Sequence, residues 1–187
     1  MADLHDDGRG DRDRTVQIEQ LVADHHGAVF AYAYRLSGSI QDAEDLTQQA
    51  YLIAQQQLAQ LRKPECARSW LLTILRNRFL KECRRTRAVP ATTLGMTLDD
   101  VPMEIGKDQQ IDRMVLQDAL AELPPNFRVV LAMYYFEDYS YREIARQLGL
   151  PIGTVMSRLA RAKGHLRTKL SASKTRPDRR SQRSVTT

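Results

Sequence analysis

Apolar residues recur at helical spacing in several blocks along the chain, and no stretch shows the alternation of a half-buried β-strand. In the first block Ile18, Leu21, Val22, Val29, Ala33 and Leu36 share one stripe, and the pattern stops near Gly38. A second helix is predicted after Ser39, a good N-cap with Asp42 in the first turn. Its stripe is Ala43, Leu46, Ala50, Ala54, Leu58 and Leu61, and the Lys63-Pro64 loop ends it. A third helix runs from about Arg68 to Arg87, apolar on most sides in its first half and strongly basic in its second.

The periodicity then lapses. Residues 88 to 108 mix prolines and glycines with Asp99, Asp100, Glu104 and Asp108, the composition of a linker. Helical spacing resumes with Ile111, Val115 and Ala119, breaks at Pro124-Pro125, and resumes with Phe127, Val130, Leu131 and Tyr134. Ser140 and Glu143 form an S-x-x-E capping box that opens a short helix through Leu148. Gly149 suits its C-terminal cap, and Pro151 suits the turn beyond. The fold class is all-α: two small helical domains, 15–88 and 109–170, joined by a flexible acidic linker at 89–108.

Charge refines this picture at both ends. The 187 residues carry a net charge of +5, which leans toward a polyanionic partner. Residues 1–14 mix five aspartates with arginines and have almost no apolar content, which predicts a disordered tail. Residues 171–187 form a basic C-terminal tail. No apolar run is long enough to cross a membrane and no signal-peptide layout opens the chain, so a cytoplasmic location is expected, without membrane insertion. Cys66 and Cys83 make no CxxC pattern, and the His25-His26 pair has no second ligand cluster at metal spacing, so neither a metal nor a cofactor is expected.

The short helix, the Gly149 turn and the helix from Ile152 make a helix-turn-helix candidate. Val155, Leu159, Ala162, Leu166 and Leu170 gather into one stripe that packs inward on Ile144 and Ala145. The opposite face presents Ser157, Ala160, Arg161 and Gly164, flanked by Arg158, His165 and Lys169 on one side and by Lys163 and Arg167 on the other. Small residues in the centre with cations on both rims suit a helix in a DNA major groove, phosphates meeting the rims and base edges meeting Ser157 and Arg161. The alternative is a helical hairpin whose basic face is merely solvated; the capping box, the turn glycine and the absence of any acid from Met156 to Lys169 together favour DNA.

Two other faces stand out. On the third helix Trp70, Asn77, Lys81 and Arg84 align, with Arg76, Arg78 and Arg85 nearby, a set that fits unpaired bases and a strand backbone. Trp70, among Leu71, Leu72 and Ile74, is mainly a core residue. On the second helix Leu52 points outward among Gln41, Asp45, Gln48 and Gln56. The residues alone fit equally an ordinary exposed leucine and an anchor for a protein partner.

The runs DAEDLTQQAYL (42–52), RSWLLTILRNRFLKECRR (68–85) and LPPNFRVVLAMYYFEDYSYREIARQLGLPIGTVMSRLARAKGHLR (123–167) resemble bacterial sigma factors of the extracytoplasmic-function group, over roughly residues 15 to 170. The resemblance implies a dissociable initiation subunit of RNA polymerase that performs no catalysis itself. It implies that the DAEDL helix docks on the clamp helices of the largest polymerase subunit, through Asp42, Asp45, Leu46, Gln48, Gln49 and Leu52. It implies that Lys63, Arg76, Asn77, Lys81, Arg84 and Arg85 recognise and help melt the minus-ten promoter element. Thr154, Met156, Ser157, Arg158, Arg161, Lys163 and His165 are then the minus-thirty-five contacts. The linker would thread toward the RNA exit path, and an anti-sigma protein is a family expectation that no residue here demonstrates. Three positions depart from the family pattern: Gln49 stands where an acid is frequent, Met156 where a cation often follows GTV, and Ala160 where a bulkier residue is common.

The rival reading is a stand-alone helix-turn-helix regulator, in which Asp45 and Leu52 have no role in transcription. An enzyme lacks support, since no GxxxxGK[ST], HExxH or GxSxG run occurs.

Overall fold

Seven α-helices account for most of the structure, a computed structural model that describes residues 7–86 and 113–174. The expected linker at 89–108 and most of the basic tail lie outside the described residues. Among the described residues every regular element is helical.

The first helix, α1 (Asp7–Ser37), is longer than its apolar stripe. It starts inside the stretch whose polarity predicts a disordered tail, because adding residues to an existing helix costs far less than nucleating one. Gly38, at φ +86°, ends it, and Ser39 caps α2 (Ile40–Gln56) by accepting a hydrogen bond from the Asp42 amide. The stripe predicts that α2 reaches Leu61, but it stops at Gln56. A 3₁₀ turn at Leu58–Gln60 then buries Leu58. A second 3₁₀ turn, Pro64–Cys66, leads into α3 (Ala67–Thr86). These three helices bury Val29, Tyr32, Leu36, Leu46, Ala50, Leu71 and Leu75 between them. Trp70 packs half-buried against that core, as its apolar neighbours predict.

The second half comprises α4 (Arg113–Glu122), α5 (Pro125–Phe136), α6 (Tyr141–Leu148) and α7 (Ile152–Lys174). Local signals worked here as written. Ser140 Oγ accepts from the Glu143 amide at 3.3 Å, and Glu143 Oε2 accepts from the Ser140 amide at 2.8 Å. Gly149 closes α6 in the left-handed region at φ +63°. The predicted stripe of α7 is buried at Val155, Leu159, Ala162 and Leu166, against Ile144 and the buried face of α5.

The two halves are not separate beads. One continuous cluster of buried residues runs through both, with α4 and α5 packed on α1 and α5 touching α3. Gln117 Nε2 donates to the Tyr34 carbonyl at 2.7 Å, Arg128 Nη1 donates to the Ser37 carbonyl at 3.2 Å, and the Arg35 guanidinium lies 4.1 Å from the centre of the Phe136 ring.

Candidate nucleic-acid and polymerase interfaces

Three surfaces carry the residues singled out in the sequence. The first is the outer face of α2. Asp42, Asp45 and Gln48 are exposed, and Leu52 is 52 % exposed, beside half-buried Gln49. Leu46 departs from its expected role: it is 2 % exposed and belongs to the core, because it lies on the inward stripe of the same helix. Gln49 Oε1 accepts a hydrogen bond from Arg78 Nε, so an amide there is already engaged by α3. Sequence reasoning missed that this face sits between two grooves. One, about 550 Å³, runs between α1 and α2 and is lined by Phe30, Thr47, Gln48, Tyr51 and Leu52. Burial pushes the Tyr51 phenol up to about 12. The other, about 410 Å³, is lined by Asp42, Asp45, Gln49, Glu82 and Cys83, and by Pro125 from the second half. Neither groove has a signal in the sequence, since each forms only where packed helices meet.

The second surface is the basic end of α3. Asn77, Lys81, Arg84 and Arg85 are exposed, as is Lys63 in the loop before it. Arg76 does not join them. It is 1 % exposed, and its Nη1 donates to both oxygens of Glu137, at 2.8 and 2.6 Å. Tyr32 donates to the same carboxylate at 2.5 Å. Burial works to lower the Arg76 pKa, but Glu137 and Tyr32 outweigh it and leave it raised. Burial, then Glu137, holds the Tyr32 phenol well above its ordinary value. In this arrangement Arg76 is withdrawn from any nucleic acid, and the residue responsible lies 61 positions further along the chain.

The third surface is α7. Its outermost row is Ile152, Gly153, Met156, Ala160 and Arg167, with Met156 50 % exposed. Thr154, Ser157, Arg158 and Arg161 are half-buried beside that row, and Ser157 Oγ donates to the Thr154 carbonyl at 3.1 Å. The small-residue face is thus present but rotated, with Met156 nearer its centre than Arg161. His165 faces α4, with its Nε2 3.3 Å from Glu122, and Lys169 reaches the same carboxylate at 2.7 Å. That hydrogen bond from Lys169 is the main reason Glu122 sits below its ordinary carboxylate value. The Lys163 ammonium lies 4.9 Å from the centre of the Tyr134 ring and 5.4 Å from that of Tyr135.

No group of three metal-ligating side chains occurs among the described residues, and none of their helices is long and apolar enough to cross a membrane. Comparison with known proteins decides what the three faces have in common. Residues 21–89 match the family model for sigma-70 region 2, and residues 113–166 match that for sigma-70 region 4. The chain is 37% identical over 160 residues to the ECF RNA polymerase sigma factor SigL of Mycobacterium tuberculosis, covering 82% of this chain and 88% of that one.

The chain belongs to the ECF RNA polymerase sigma factors.

The sigma factor is also 37% identical over 170 residues to SigE of Mycolicibacterium smegmatis; the match covers 88% of this chain but only 66%, just under two thirds, of that relative. Among solved structures it is similar to the sigma factor RpoE of Bartonella quintana, determined in complex with the anti-sigma factor NepR. The TM-score is 0.58 at 25% identity, covering 83% of this chain and 97% of that one. The two matched segments of the sigma factor correspond to its two helical halves, α1–α3 and α4–α7.

Proposed function

We propose that this sigma factor docks on core RNA polymerase through the outer face of α2 and directs it to promoters by reading DNA with two separate surfaces. Asp42, Asp45, Gln48 and Leu52 form the docking row, on the clamp helices of the largest polymerase subunit. An exposed leucine framed by carboxylates and amides can anchor a protein partner, and its place in the segment that matches sigma-70 region 2 favours that role. Lys63, Asn77, Lys81, Arg84 and Arg85 face the minus-ten element and favour its melted strand. The α7 row reads the minus-thirty-five duplex, with Met156 and Ala160 at the groove floor, Arg161 and Ser157 beside them, and Arg167 among the phosphates. The chain brings no chemistry of its own to initiation, and an anti-sigma protein, like the one bound to the Bartonella relative, is a partner it would meet when held inactive.

The observation that carries this reading is the coexistence of a polar docking row and two basic faces on separate helices, in the two segments that match sigma regions 2 and 4. A stand-alone regulator needs the α7 face alone. Reconstituted transcription separates the two: core polymerase from the source organism, genomic promoter fragments, and the protein added or withheld. Defined transcripts that appear only with the protein are expected. Promoter binding without core and no new transcripts with it would replace this reading by the stand-alone regulator.

A further inference from the structure

Arg76 and Glu137 come from opposite halves of the chain and are both buried, with side-chain exposures of 2% and 1%. A charge taken out of water is stable only with a well-placed partner, and this carboxylate has three donated hydrogen bonds, two from Arg76 and one from Tyr32. Beside the apolar cluster that runs through both halves, further polar contacts cross the join. Gln117 and Arg128 donate to backbone carbonyls of α1, and Arg128 lies 5.8 Å from the centre of the Phe79 ring of α3. The polar part of such a join between halves of one chain regains hydration when the halves part, so its loss costs less than its contacts suggest.

Closure has two consequences for the surfaces described above. Arg76 cannot reach DNA while Glu137 holds it. Pro125, at the start of α5, walls the groove that Asp42, Asp45 and Gln49 line. The same packing therefore occupies a candidate DNA contact and narrows the approach to the candidate docking row.

We infer that Glu137 is an internal latch: in the free chain it holds the second half against the first, and polymerase engages only when Arg76 is released from it. Opening frees the Arg76 guanidinium for the promoter and clears Pro125 from the docking groove. The inhibitory part rests on the docking and promoter roles proposed above, whereas closure itself rests on the buried pair.

The test uses the full-length chain and two variants, Glu137→Gln and Arg128→Met, because the partners that hold Arg128 at the interface belong to the other half. Small-angle scattering of the free protein reads closure, and competition binding to core polymerase reads inhibition. Both variants should keep the far-UV helical signal, show a radius of gyration several ångströms larger than the parent (an expansion on the order of that between one packed body and two tethered ones), and bind core at least threefold more tightly. A variant that loses its helical signal is set aside and the other decides; if both lose it, the interface is part of one obligatory core and the latch is refuted. Unchanged scattering also refutes it. Expansion with unchanged core binding means the pair is structural and overturns the inhibitory role. If the parent protein directs no promoter-specific transcription, the functional reading fails while the scattering result still stands for or against closure.

Discussion

A Cβ placed on Gly38 would lie 3.0 Å from the Cβ of Ala121. These residues sit on opposite sides of the join, at the end of α1 and within α4, and Gly38 also holds φ at +86°. Gly38→Ala therefore meets two obstacles, a left-handed backbone and a neighbour at less than ordinary contact distance. A loss of about 1–2 kcal/mol is expected from the backbone alone. Urea unfolding should show a lower midpoint, and an unchanged midpoint would mean that the turn relaxes freely.

The reciprocal box at Ser140 and Glu143 opens the helix that supports α7. Ser140→Ala leaves the Glu143 amide without its acceptor and should cost about 1 kcal/mol, seen as a melting temperature lower by roughly 2–4 °C. Ser140→Asp, which keeps an acceptor at the cap, should melt close to the parent.

The box and the Gly149 cap are readable from residues three to nine apart, and the structure keeps both as the spacing predicts. The buried stripes of α2 and α7 were equally legible, since periodicity alone separates inside from outside. Arg76 was not. On α3 it is one arginine among several, and nothing local distinguishes it from Arg84; only the approach of Glu137 on another helix does so. The orientation of α7 failed for a related reason. Its apolar stripe shows which side is buried, but Glu122 and the Tyr134-Tyr135 pair draw His165 and Lys163 aside and shift the solvent-facing row toward Met156.

Leu52 is exposed, so shortening it should leave folding intact and act on the docking partner instead. Leu52→Ala should weaken core binding by about 2 kcal/mol, roughly thirtyfold, if it is the anchor of its face. Fluorescence anisotropy with labelled protein and core measures this directly. Equal affinity for parent and variant would remove Leu52 from the interface.

Lys81→Ala and Arg84→Ala remove exposed cations at the basic end of α3. Permanganate footprinting should show less promoter opening by either holoenzyme, on the order of tenfold for the pair, and the deficit should shrink as salt is raised, because each lost cation lowers the salt dependence of binding. Loss of core binding in these variants would place the defect in assembly rather than in melting.

Acid should weaken the fold through Glu122 and Glu143. Hydrogen bonds from Lys169 hold Glu122 below its ordinary value of 4.5, and those from Ser140 do the same for Glu143. Their folded pKa values are depressed, so the stabilisation is present above the ordinary value and is lost as pH falls through the depressed one. Thermal melts should be level from about pH 7 to about pH 5 and decline below that. Glu143→Gln should flatten part of the decline, and an identical pH profile for this variant would exclude Glu143 as a source.

The end of α1 has a peculiarity with a dynamic consequence. A helix leaves its final carbonyls short of partners of its own; here that of Ser37 is met by Arg128, 91 positions away, and that of Tyr34, which accepts from the Gly38 amide, takes a second hydrogen bond from Gln117, 83 positions away. The last turn is thus finished by the opposite half of the molecule. When the halves part, those acceptors pass to water and the turn loosens, so amide protons around residues 34 to 40 should exchange faster with solvent deuterium. That short segment is a native gauge of separation, readable without attaching any label.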